Sequence, residues 1–153
     1  MNDRLEKIFA AVVPGQAEVV GRVVRSSNAA DVGKTISGAK IYRLYLVNEG
    51  ELDIASIGLY SGGFASEDDE VVELEKSNEL YGAVHSNSVF LLRELPFGML
   101  DFVLWYYVKL TFADDTQLIA KFEIPKAYGL RKQNRRFITA LAEDAYVFEL
   151  KPF

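Results

Sequence analysis

The chain has 153 residues, half of them hydrophobic and a quarter charged, and its 22 acidic and 17 basic side chains give a formal net charge of -5. This is a globular composition, and a chain of this length buries about 70% of the surface it would expose unfolded, enough to fold without disulfides or metal. With no cysteine and a single histidine, His85, thiol chemistry and the usual zinc ligand sets are excluded, and an acidic balance disfavours nucleic acid and anionic lipid as partners.

The length predicts one domain over residues 1–153. Met1-Asn2-Asp3-Arg4 leads into an amphipathic stretch rather than a secretory apolar run. The most apolar segment, residues 95–112, is interrupted by Pro96, Gly98, Asp101 and Lys109. A spanning helix needs about 20 predominantly apolar residues, so a cytoplasmic protein with no membrane span is expected.

Asp3 and Glu6 fit a capping box, and Leu5, Ile8, Phe9 and Val12 follow helical spacing until Pro14-Gly15. An N-terminal helix is predicted. Residues 16–25 carry Val19, Val20, Val23 and Val24, which fit a helical face but favour a strand by their β-branching. Residues 26–40 read as a surface loop. Residues 40–47 and 52–60 read as a hairpin around Asn48-Glu49-Gly50-Glu51, closed by Ser61-Gly62-Gly63. Strand or short helix both fit Val71, Val72 and Leu74 on towards Leu80, and both fit residues 86–95.

The clearest strand pattern starts at Phe102. One side carries Phe102, Leu104, Tyr106, Val108, Leu110 and Phe112; the other carries Val103, Trp105, Tyr107, Lys109 and Thr111. Leu118, Ala120, Phe122 and Ile124 form a matching apolar side, with Gln117, Lys121 and Glu123 opposite. Keeping the apolar faces together demands an odd-length loop, with Asp115 or Thr116 absorbing the extra residue and Phe112 paired to Leu118. Residues 130–143 have helical spacing through Leu130, Phe137, Ile138, Leu141 and Ala142, and residues 146–150 read as a last strand. These elements predict an α+β fold, an antiparallel sheet with the N-terminal and C-terminal helices packed on one face.

Four constellations are candidates for chemistry. The acidic run Glu67, Asp68, Asp69 and Glu70, continuing through Glu73, Glu75 and Glu79, could steer a basic protein. It lacks the alternation and central glycine of a calcium loop, and the plain alternative is a solvated loop. Lys126, Arg131, Lys132, Arg135 and Arg136 form a basic cluster. At the start of the predicted helix, Arg131 and Lys132 oppose the helix dipole, which an anionic partner would offset; ion pairs with the acidic loop are the alternative. His85 has Ser86 and Ser88 beside it, but no nucleophile elbow surrounds them, so a loop or core histidine is the simpler account. Gly33-Lys34-Thr35 lacks the earlier glycine of a phosphate loop, Asn28 standing there.

Trp105 and Tyr107 lie on the side of their strand away from the predicted helices, where such rings anchor protein interfaces unless another element covers them. No motif reaches family specificity, and neither a cofactor nor a metal is expected. The expected function is a non-enzymatic protein-binding module, such as an acidic immunity or inhibitor protein that sequesters a basic partner. Its contacts are then Glu67 to Glu70 for steering and Trp105 and Tyr107 as anchors. Two rivals are a hydrolase using carboxylates and His85 on a phosphorylated or sugar substrate, and a homo-oligomeric structural protein.

Overall fold

Ile8–Pro14 (β1) is apolar along its whole length, Ile-Phe-Ala-Ala-Val-Val-Pro, and Ile8 through Val13 are all buried. A strand covered on both faces shows this continuous apolar run rather than alternation. That explains why the predicted N-terminal helix is not formed. Only Asp3–Lys7 coils, as a 3-10 turn, and Leu5, Ile8 and Val12 reach the core from a turn and a strand instead. The computed structural model describes residues 3–14, 41–67, 70–96, 102–125 and 133–153. The expectations for residues 16–25 and 26–40 lie outside them.

The other strands are Ile41–Asn48 (β2), Ile54–Glu67 (β3), Glu70–Tyr81 (β4), Ser88–Pro96 (β5), Val103–Phe112 (β6), Gln117–Ile124 (β7), Arg135–Ile138 (β8), Glu143–Glu149 (β9) and Lys151–Pro152 (β10). They form two antiparallel five-stranded sheets, ordered β5-β2-β1-β9-β8 and β10-β7-β6-β3-β4. No α-helix is present among the described residues, so the expected α+β arrangement gives way to an all-β one. Inward residues of both sheets share one core: Ala10, Val12, Leu44 and Leu46 from the first, Ile57, Leu59, Leu104, Val108, Leu110 and Ile124 from the second. The apolar side of β6, expected to face helices, faces the other sheet.

The predicted C-terminal helix is also replaced. Of its residues, 130–132 lie outside the described set, while Arg135–Ile138 and Glu143–Glu149 form a hairpin. Its turn brings the amides of Leu141 and Ala142 to the Ile138 carbonyl at 3.0 and 2.8 Å, with Ala142 at φ 56°. The helical spacing of Ile138, Leu141 and Ala142 is thus one tight turn, and Phe137 is 57% exposed rather than in the core.

Three further expectations are corrected. The segments expected to pair as a hairpin, β2 and β3, are strands but belong to different sheets. Ser61-Gly62-Gly63 does not end a strand: β3 runs through to Glu67. At the β6–β7 hairpin the loop is odd-length and the apolar faces coincide, but Leu110, not Phe112, is opposite Leu118. The turn closes two residues tighter, through an amide-to-carbonyl bond of 2.8 Å from Phe112 to Thr116, with Asp115 at φ 68°.

A candidate binding face on the second sheet

Pairing on β6 places Trp105 between Gly62 and Glu123, and Tyr107 between Tyr60 and Lys121. Alternation puts all six on the face turned away from the core. There the rings form a continuous belt. Tyr60 and Trp105 have centroids 5.5 Å apart, Trp105 and Tyr107 5.6 Å, and Tyr107 and Phe153 4.9 Å, with interplanar angles of 55°, 64° and 76°. Phe153 comes into reach because the chain leaves the first sheet at Leu150 and adds β10 beside β7, where the Phe153 amide bonds the Ile119 carbonyl at 3.0 Å. Trp105 and Tyr107 are half-buried, whereas Tyr60 is 40% and Phe153 73% exposed.

The glycine beneath the belt explains its geometry. A Cβ on Gly62 would lie 2.3 Å from Trp105 Cζ2, so the indole rests against bare backbone. Gly62 is therefore a site of close approach within a strand, not a turn.

Lysines surround these rings. Lys109 and Lys121 share the face through their pairing with Gly58 and Tyr107, and Lys151 stands opposite Lys121. Lys76 lines the same groove as Tyr60 and Trp105. All four are exposed, and the Lys121 ammonium sits 5.9 Å from the Phe153 ring centre. Among the described side chains the acids on this face are Glu73, opposite Phe64, and Glu123. The groove, of about 1290 Å³, is also lined by Glu123 and Pro125, by Glu6 of the 3-10 turn, by Arg136 of β8 and by Glu149 of β9.

Two of the four acidic residues expected to act with Trp105 and Tyr107 sit elsewhere on the same sheet. Glu67 and Glu70 pair at the end of the β3–β4 ribbon, which runs on past Phe64, the last β3 residue paired with β6. Glu67 is five residues beyond Gly62, about 17 Å along an extended strand. Asp68 and Asp69 lie outside the described residues, as do Arg131 and Lys132. Arg135 and Arg136 do not gather around an anion. Arg136 pairs with Glu49 and lies 4.5 Å over the Phe9 ring, while Arg135 lies 5.4 Å over Tyr146 and 3.9 Å from Asp144.

His85 is on the surface, its side chain 77% exposed, with Nδ1 3.4 Å from Asp53 Oδ2. Both neighbouring hydroxyls donate to carbonyls, Ser86 to Gly50 and Ser88 to His85 itself at 2.6 Å, rather than to the imidazole. The Ser86 amide, and after it the imidazole, hold the Asp53 carboxyl below its ordinary range. These contacts tie the β2–β3 and β4–β5 crossovers together. Buried Asn48 completes the tie: its Nδ2 donates to Leu52 at 2.9 Å and to Val84 and His85 at 3.3 Å, and its Oδ1 accepts from Gly50 at 3.0 Å.

A second polar cluster closes the seam between edge strands β4 and β5. Tyr81 donates to the Leu92 carbonyl at 3.0 Å; Arg93 donates to Ser77 at 2.6 Å and pairs with Glu79; Ser61 and Ser77 bond at 2.9 Å. Behind it, burial pushes the Tyr106 hydroxyl up to about 12. One carboxylate matched to one guanidinium latches the sheets but offers no acid–base pair with separated roles. Among the described residues no group of three metal-ligating side chains occurs, and no helix is long and apolar enough to cross a membrane. No family model matches the sequence, and no curated protein matches it.

Proposed function

We propose that the chain is a non-enzymatic protein-binding module whose contact surface is the outer face of the second sheet. The observation that carries this reading is the belt Tyr60–Trp105–Tyr107–Phe153, four mutually packed rings across a sheet face with two of them substantially exposed. Each such ring buries roughly 150–250 Å² when covered, the largest payload a side chain offers an interface. Pre-packing against neighbours and the Gly62 backbone also lowers the ordering entropy lost on binding. An exposed histidine whose adjacent hydroxyls bond backbone carbonyls weighs against the hydrolase reading.

The test is capture from the native host at low salt, using wild-type protein and Trp105→Ala as parallel baits. A protein held by the wild type and absent from the variant supports the reading. One held equally by both overturns the assignment of this face.

A further inference from the structure

Taking the outer face of the second sheet as the contact surface, we infer that its partner is an acidic peptide segment with an apolar or aromatic side chain, seated along the belt. Net charge alone points to a basic partner, but the local charge around the rings has the other sign. Lys76, Lys121 and Lys151 line the groove with Tyr60, Trp105 and Tyr107, and Lys109 stands on the same face, against Glu73 and Glu123 as its described acids. Glu6 and Glu149 line the groove from the 3-10 turn and from β9 of the other sheet, not from this face. A partner's carboxylates thus belong over the belt, where complementary charge fixes register and raises the association rate.

The geometry separates this occupant from two others that use lysines and aromatics. Single-stranded nucleic acid needs open ring faces on which bases stack. Here the rings meet one another at 55–76°, and the indole lies against Gly62. A bilayer is planar, whereas the belt borders a concave groove of about 1290 Å³ that suits an extended chain.

Trp105 is the only tryptophan, so its emission reports this face alone. The experiment selects binders from a random displayed dodecapeptide library on the immobilised full chain, then titrates the enriched peptides while following Trp105 emission. Enrichment of Asp and Glu beside an aromatic or aliphatic residue, with a shift in emission, is the expected result. The triple variant Lys76→Glu, Lys121→Glu, Lys151→Glu, all exposed positions, should weaken those peptides on the order of tenfold or more. Enriched peptides that are basic or uncharged yet still shift the emission would overturn the acidic partner while leaving the contact face standing. Peptides that bind without moving the emission overturn both. Tighter binding of a single-stranded dodecanucleotide, or of phosphatidylserine vesicles, through the same lysines overturns the peptide assignment.

Discussion

At the residue scale, the side chains that decide this structure are polar ones in apolar places. Asn48 is fully buried and its amide joins four backbone groups from two crossovers. Replacing it removes a partner from each of them, the bond to Val84 being the buried one, at about 1–3 kcal/mol for a lost buried partner. Asn48→Ala should therefore lower urea-unfolding stability by about that much; an unchanged midpoint would show that the crossovers hold without it. Tyr106 gives a pH signature. Its hydroxyl is neutral when protonated, and burial raises its pKa from an unfolded 10 to about 12. Its contribution is complete below pH 10 and declines as pH rises towards 12, by about 1.4 kcal/mol for each pH unit between the two values. Alkaline unfolding should shift to higher pH in Tyr106→Phe, which has no proton to lose.

At the scale of elements, glycine shows how the aromatic face is made. Gly62→Ala puts a methyl into the space of the indole, and Trp105 must swing off the sheet into solvent. A red-shifted emission with a loss of about 1–3 kcal/mol is expected; an unshifted spectrum would contradict the packing of ring on backbone. The same position marks what sequence patterning could reveal. Alternation along 102–124 separates the core side from the side bearing Trp105, Tyr107, Lys109 and Lys121, and the structure keeps those faces. Nothing in that alternation shows that β3 supplies Tyr60 from one side and the chain end Phe153 from the other, because both contacts are made through register between distant segments. Gly62-Gly63 is the available signal: a pair that patterns as a turn serves close approach within a strand. The two predicted helices went astray for separate reasons. Ile8–Pro14 is buried on both faces and so loses the alternation of a strand, and the turn after Ile138 imitates helical spacing over one step.

For the whole molecule, charge is segregated rather than averaged. A net charge of -5 coexists with lysines around the belt and an acidic pair at the far end of the same sheet's longest ribbon. Association with a partner is then expected to slow as salt rises, since screening acts within about 10 Å at 0.1 M, while the rings govern how long the complex lasts. The most direct test is the dissociation rate of a purified partner from the wild type and from Trp105→Ala. Truncating a central tryptophan of an interface removes about 2 kcal/mol or more, so the rate should rise about thirtyfold with little change in association. A dissociation rate unchanged by Trp105→Ala would contradict the aromatic belt as the contact surface.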